Sequence, residues 1–231
     1  MKFSLIIPCY NESKGLNLLL ERCRPIAALD GHEVILVDNG STDTTHSVLK
    51  ELLPQYPGCK SIRIDINQGY GFGILSGLHA AQGEVLGWTH ADLQTDPQDV
   101  LKGLQIYYQN KTACFVKGKR HGRPLGDVIF TVGMSIFETL LLRRWFWDIN
   151  AQPNLFSKSF FQLWAADAPH DFSLDLYVYY MAKKNGLQIE RYPVKFCERL
   201  FGTSHWNINW HAKRKFIMRT ISFSFALKKK I

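Results

Sequence analysis

Apolar residues in the first ninety positions fall into short unbroken runs separated by longer stretches at helical spacing. Residues 3–7 are wholly apolar apart from Ser4 and rich in β-branched side chains, the pattern of a strand buried on both faces. Leu16, Leu18, Leu19, Leu20, Cys23 and Ile26 then suit a helix, which Gly31 closes off. Residues 33–37 form a second buried run ending at Asp38. Ser41, Thr42 and Asp43 offer caps for a helix through Val48, Leu49, Leu52 and Leu53. Residues 61–66 read as a third strand, the 69–73 loop leads into a helix over about 74–81, and residues 84–88 read as a fourth strand. Strand and helix alternate every roughly 25–30 residues, which predicts an α/β protein with a mostly parallel, Rossmann-like sheet covered by helices on both faces.

The second half is less regular. Residues 128–142 carry apolar side chains at helical spacing and run into Arg143, Arg144 and Trp145. Residues 174–184 predict another helix with Gly186 as its stop, and residues 188–194 a further strand. With no internal repeat or low-complexity linker, the expected division is one domain over 1–212 and a basic, aromatic tail over 213–231.

Composition sharpens this in three places. Of 231 residues, 46% are hydrophobic and 21% charged, which supplies a folded core and excludes a disordered chain. The net charge of +8 asks for an acidic partner, namely phosphorylated small molecules, an anionic membrane or nucleic acid. Much of the excess sits in Lys213, Arg214, Lys215, Arg219, Lys228, Lys229 and Lys230, interleaved with Phe216, Ile217, Met218, Ile221, Phe223, Phe225 and Leu227. That mixture suits a basic amphipathic helix on an anionic interface, or a helix docked on the domain. No DNA- or RNA-binding motif accompanies it, so nucleic acid is not an expected partner. Five scattered cysteines without a CxxC pair argue against a disulfide framework or a structural zinc site, and make the reducing cytoplasm the default compartment. Pro8 cuts the opening apolar run far short of a signal peptide, and no unbroken apolar stretch of roughly 18–20 residues occurs. The expectation is a chain that lies on the cytoplasmic face of a membrane without spanning it.

Three polar motifs fall where predicted strands end, the edge at which open α/β sheets bind ligands. They run over residues 8–12, 37–43 and 90–94. Asp38 can hold ribose or base edges through charge-assisted hydrogen bonds. Asp92 and Gln94, two apart, can share one hard cation through oxygen, and such a cation would neutralise a diphosphate. Each motif taken alone is also what turn and cap chemistry produces. Their order and spacing together are not. The 69–73 stretch lacks GxGxxG spacing, so a dinucleotide site is not expected.

Together these stretches resemble glycosyltransferase family 2, and within it the polyprenyl (dolichyl) phosphate mannose or glucose synthase branch. The likeness runs through residues 4–12 (SLIIPCYNE), 34–43 (VILVDNGSTD), 67–71 (NQGYG) with Gly77 following, and 91–97 (ADLQTDP). It continues in residues 117–120 (KGKR) and from Pro193 and Val194 through Glu198 and Arg199 to Ser204, covering about 2–205. The resemblance implies a GT-A fold and an inverting transfer from a UDP- or GDP-sugar, with Mn²⁺ or Mg²⁺ as cofactor. It implies that Pro8, Tyr10, Glu12, Asp38 and Gly69 line the nucleotide and that Asp92 and Gln94 hold the metal. Arg120 and Arg199 would meet acceptor or donor phosphates, a role the bidentate guanidinium suits. A phosphate acceptor is already ionised and needs no strong base; for any other acceptor Asp175 is the candidate, the alternative being a carboxylate on a helix surface.

Departures fall near the metal and on the acceptor side. His90 stands where the family has the first carboxylate of Asp-x-Asp, which favours Mn²⁺ or another later ion if the imidazole binds. Residues 151–157 and His205 differ from the branch's usual stretch, so the acceptor is left between a polyprenyl phosphate and a lipid-linked glycan. Two further classes stay open: a degenerate module that binds nucleotide without turnover, and a nucleotidyltransferase. Against the latter, residues 6–13 lack a glycine-rich loop with Arg and Lys.

Overall fold

The computed structural model describes residues 2–110, 112–202 and 210–230, apart from the side chains of 210–213, 215 and 216. The first half contains β1 (Phe3–Cys9), β2 (His32–Asn39), β3 (Cys59–Ile64) and β4 (Val85–Trp88), which all run parallel. Between them lie α1 (Leu16–Ala27), α2 (Thr45–Leu52) and α3 (Tyr70–Ala80). This is the alternation the apolar rhythm predicts. Strand β3 begins and ends two residues before the expected span, because it is an edge strand only partly buried and its apolar run does not mark its ends.

Central strands β1 and β2 explain the unbroken runs. Ile6, Ile35 and Val37 join Ile74 and Leu78 of α3 in one core cluster, while Leu5, Ile7, Val34 and Leu36 join Leu16, Leu19 and Leu20 of α1 in another. Successive side chains enter opposite faces, and both faces are covered by helices, so every position is apolar.

The second half adds α4 (Asp99–Gln109), β5 (Cys114–His121), α5 (Leu125–Leu142), β6 (Asn154–Ser157), α6 (Lys158–Trp164), α7 (Leu174–Lys184), β7 (Gln188–Lys195) and α8 (Trp210–Lys229). Among the described residues the strands form one seven-stranded sheet in the order β3-β2-β1-β4-β6-β5-β7. Strand β6 alone is reversed, pairing antiparallel with both β4 and β5. From the β3 edge the chain crosses back past β1 to build β4, so the strand order switches between β1 and β4.

Helix α5 corrects one expectation. It is long and apolar enough to cross a membrane, although no unbroken apolar run of that length exists. Gly126, Thr131, Gly133, Ser135 and Thr139 interrupt the run without adding charge and Asp127 and Glu138 are its two charged residues, so the helix is apolar while the count of consecutive residues is not. Leu125, Ile129 and Leu140 are 74%, 63% and 74% exposed. Its other face is pinned to the domain: Ser135 Oγ accepts the Asp148 N–H at 3.2 Å, and the buried Glu138 accepts the Ser224 hydroxyl of α8 at 2.6 Å. Phe137 of α5 meets Phe225 of α8 edge-on at 6.3 Å.

Burial pushes the Glu138 carboxyl up to about 7, against the pull of the Ser224 hydroxyl. A carboxyl raised in the folded state opposes folding once it must ionise. Stability therefore falls as pH climbs from the ordinary value of 4.5 through about 7. Glu138→Gln keeps the acceptor and cannot ionise. It is expected to melt close to the native chain at pH 4.5 and roughly 4–8 °C above it at pH 8, by scanning calorimetry. Equal melting temperatures at pH 8 would show that no charge is buried there.

Candidate active site at the switch point

Leaving β1, the chain turns at Asn11, whose φ of 57° is left-handed. Asn11 Oδ1 accepts the N–H groups of Thr42 and Asp43 at 2.8 and 3.3 Å, and its own N–H donates to Ser41 Oγ at 3.1 Å. The N–H of Glu12 donates to Thr45 Oγ1 at 3.0 Å and that of Ser13 to Asp43 Oδ2 at 3.3 Å. These bonds lace the loops after β1 and β2 into one surface, which is why Asn, Ser, Thr and Asp crowd both motifs. Asp38 lies beneath it, 1% exposed, with Oδ1 accepting the Ser41 N–H at 3.1 Å and Oδ2 3.6 Å from both His46 and Arg63. It braces the turn and does not line the cavity.

A third loop closes this end. Asn39 Nδ2 donates to the Gly69 carbonyl at 3.0 Å. Gly69 has φ of 112°, and a Cβ there would run into the His170 carbonyl, so only glycine lets the 67–71 and 169–172 loops meet. Tyr70 consequently stacks on Phe172 at 4.6 Å, with its ring 6.0 Å from His90.

In the turn after β4, Asp92 Oδ1 accepts the Gln94 N–H at 3.1 Å. Its other oxygen pairs with Arg199 at 2.7 Å, and the same guanidinium reaches Glu12 at 3.2 Å. Gln94 donates from Nε2 to the Cys197 carbonyl at 3.3 Å, which ties the 196–202 segment over the turn. Burial raises the Glu12 carboxyl against the pull of Arg199. Burial also lowers the His90 imidazole, with Asp92 and Asp175 pulling the other way. Among the described residues no three His, Cys, Asp or Glu side chains converge on one point. The donors present are one carboxylate, one imidazole held toward its neutral, metal-binding form, and an amide oxygen. Such a set fits a cation that takes its remaining ligands from a diphosphate.

The far wall is basic. Asp148, 3% exposed, accepts from Arg120 Nε at 2.9 Å and from the Arg120 N–H at 2.9 Å, and lies 3.8 Å from Arg123 and 3.9 Å from Arg191. Arg120 and Arg123 both cover the Phe196 ring, at 5.4 and 5.6 Å. Asp175, at the start of α7, is 3% exposed and reaches the cavity floor, so it is not a carboxylate on an outer helix surface.

Pro8, Tyr10, Glu12, Gly69, His90, Asp92, Gln94, Arg120, Asp175 and Arg199 thus line a single cavity of about 630 Å³, and of the residues singled out Asp38 alone stands behind it. Asn39, inside the 37–43 motif, and Arg219, singled out only among the basic residues of the tail, also line it, as do Arg123 and Phe172, which sequence reasoning did not find. For Arg123, the signal was its place three residues after Arg120, beyond the end of β5. Thr203, Ser204, His205 and Trp206 lie outside the described residues, as do the side chains of Trp210 and His211.

The mostly parallel sheet, with its cavity at the switch in strand order, has the GT-A fold of solved glycosyltransferases. Solved structures with the same fold include a mannosyltransferase from Pyrobaculum calidifontis in complex with GDP-Man and Mn²⁺, with a TM-score of 0.69 and 20% identity over 100% of this chain and 64% of that one. Glucosyl-3-phosphoglycerate synthase from Mycobacterium tuberculosis, with Mn²⁺, UDP and glucosyl-3-phosphoglycerate, gives 0.70 and 14% identity over 100% and 80%. Residues 4–154 match the family model for glycosyl transferase family 2, and the chain belongs to that family. Its curated relatives include the undecaprenyl-phosphate 4-deoxy-4-formamido-L-arabinose transferases of Edwardsiella ictaluri, 36% identical over 103 residues, and Serratia proteamaculans, 35% identical over 111 residues. These matches cover 42% and 46% of this chain and only 31% and 33% of the relatives.

Proposed function

We propose that this chain transfers a hexose, with inversion, from a UDP- or GDP-sugar to a polyprenyl phosphate or a lipid-linked glycan. The observation that carries the lipid-phosphate reading is the Arg120, Arg123 and Arg191 cluster on the single carboxylate of Asp148. Three guanidiniums against one carboxylate leave net positive charge in a half-buried wall, and Arg123, which lines the cavity, has a buried Nε donor without a hydrogen-bond partner. A phosphate supplies the missing charge and acceptors together. The undecaprenyl phosphate in the relatives' names supports the same acceptor class, and the GDP-Man and UDP of the solved structures support the donor class.

In this reading the laced loops hold the nucleoside, with Pro8, Tyr10 and Gly69 against it. Asp92, Gln94 and His90 would hold Mn²⁺ or Mg²⁺, which when bound offsets the negative charge of the departing diphosphate. Arg199, poised between Glu12 and Asp92, adds a second positive charge beside that group. Arg120 and Arg123 orient the acceptor phosphate on the opposite side of the sugar, and in-line attack from there inverts the anomeric carbon. Because that oxygen is already ionised, Asp175 is not required as its base.

We assign residues 1–212 to the catalytic unit and 213–231 to a basic segment docked on it through Ser224 and Phe225, with its basic side chains toward the cytoplasmic face of the membrane. Phe130 and Thr131 of α5 line the cavity, while the outer face of the helix is apolar and Arg143 and Arg144 follow it. Held at Ser135 and Glu138, α5 lies along the domain, so a lipid chain can stay against it while its phosphate reaches Arg120.

The test is release of nucleoside diphosphate from a panel of UDP- and GDP-sugars, with Mn²⁺ or Mg²⁺, with and without a short polyprenyl phosphate. Metal-dependent release stimulated by the lipid phosphate is the expected result, and no nucleotide binding at all would sink the reading. The same assay is expected to show Mn²⁺ supporting the native chain better than Mg²⁺, and His90→Asp narrowing the gap about tenfold; equal support of the native chain by both ions would remove His90 from the metal set. A non-catalytic nucleotide binder is the second reading, favoured by the guanidinium already paired with Asp92. Tight nucleotide binding with no release across the panel would select it.

A further inference from the structure

Lys117 is buried on β5, 1% exposed, at a place where a methionine would pack without desolvating a charge. Its Nζ donates to the Ala151 carbonyl at 2.6 Å and to Asn154 Oδ1 at 2.8 Å. With the amide oxygen so engaged, Asn154 must present its nitrogen to the other side, where Nδ2 donates to Asp175 Oδ1 at 3.2 Å. Tyr70 takes the Gln152 amide on its hydroxyl, whose pKa is raised by burial and by the neighbouring Asp175 carboxylate. Of Lys117, Asn154 and Asp175, only Asp175 reaches the cavity. The chain of bonds therefore ends at one carboxylate on the cavity floor, close to Tyr70 and His90.

We infer that Lys117 is a positioning residue, which acts through the Asn154 amide to keep the Asp175 carboxylate turned into the cavity, where it accepts a hydrogen bond from a hydroxyl of the transferred sugar. The inference rests on the glycosyl-transfer reading for the identity of that ligand, and on the geometry alone for the coupling. Turning the Asn154 amide over would place two donors against each other at Lys117 and two acceptors against each other at Asp175. The orientation is thus set from the buried end. The groups facing Lys117 agree with this: burial pulls its ammonium down to about 7, Asp175 and Asp148 oppose that, and Arg191 and Arg120 add to it. The Tyr179 ring, 5.7 Å from Nζ, completes its surroundings.

Two measurements test the two halves. In the first, the titration of Lys117 is followed by NMR on ¹³Cε-lysine protein, its signal assigned by its loss in Lys117→Met. Asp175→Asn is expected to lower the Lys117 midpoint by about one unit. An unchanged midpoint would overturn the coupling, whether or not any donor is turned over. In the second, Lys117→Met and Asn154→Leu are each expected to raise KM for the nucleotide sugar about tenfold, while affinity for the free nucleoside diphosphate stays within about twofold. Adding either change to Asp175→Asn is expected to cost nothing more. Losses that add, or that fall equally on the free nucleoside diphosphate, would reduce Lys117 to a packing residue. Removing a buried charge should leave the melting temperature of Lys117→Met at or above the native value, which separates a failed fold from a failed inference. A native chain that releases no nucleoside diphosphate from any donor would defeat the transfer reading, and the lysine titration would still decide the coupling.

Discussion

Asp148→Asn is expected to unfold the chain at a temperature roughly 6–12 °C lower and to raise KM for a polyprenyl phosphate at least about tenfold. The substituted amide has the same shape, so the effect isolates charge. Side chains of Asp148, Arg120, Arg123 and Arg191 are 5%, 11%, 10% and 17% exposed, and without the carboxylate three guanidiniums repel one another with little water between them. Burial pushes the Asp148 carboxyl up, but Arg120 and then Arg191 overcome it and hold it below its ordinary value of 3.8. Its contribution is therefore present above that value and is lost as pH falls through the lowered one. Calorimetry and acceptor titration check the two parts. Arg191→Met added to Asp148→Asn should recover part of the melting temperature without restoring acceptor affinity, since Arg191 does not line the cavity. If acceptor affinity survives Asp148→Asn, the cluster does not hold the acceptor.

Asp92→Ala is expected to lower metal-dependent release of nucleoside diphosphate by a hundredfold to a thousandfold, the order expected when several kcal/mol of charge stabilisation is lost. Asp92 is the one carboxylate between Thr89 and Thr95, and Glu12 and Asp175, which share its cavity, are engaged with Arg199 and Asn154. Binding of the nucleoside itself should persist, since the laced loops do not depend on Asp92. Its loss also leaves Arg199 with Glu12 alone, so residual activity should depend less on the choice of metal. Initial rates with Mn²⁺, Mg²⁺ and chelator decide this, and a rate within a factor of about three of native would exclude Asp92 from the chemistry.

Strands β1, β2 and β4 were legible because burial on both faces leaves little choice of residue: Phe3, Leu5, Ile6 and Ile7 are all fully buried, whereas the half-exposed edge strand β3 was read two residues out of place. The nucleotide-side motifs were legible for a related reason, since two loops that bond to each other must carry Asn, Ser, Thr and Asp at fixed places. Beyond β4 both signals fade. Strand β6 has four residues, too few for a period to register, and nothing local announces that it runs backwards. Helix α5 was found, but its apolar outer face escaped a count of consecutive residues. The burial of Lys117, which the sequence shows only as part of the 117–120 stretch, and of Asp148 is not legible, because Lys and Asp are usually solvated and only tertiary packing buries them. Asp175 sits in a helix whose neighbours are nearly all buried as well, Leu174 to Tyr180 without a break, so no polar face marked the side it shares with the cavity.

The reversal of β6 has a consequence for how such a protein diversifies. In the parallel half, strands deliver only their trailing loops to the ligand, and loops tolerate exchange and changes of length. In the reversed strand it is the leading residue, Asn154, that arrives at the ligand edge, fixed opposite Trp88 on one side and Lys117 on the other by regular pairing. Lineages sharing this plan have freedom to remodel the nucleotide loops piecemeal, whereas the floor beneath the sugar is built into the weave of the sheet and changes only with its neighbours.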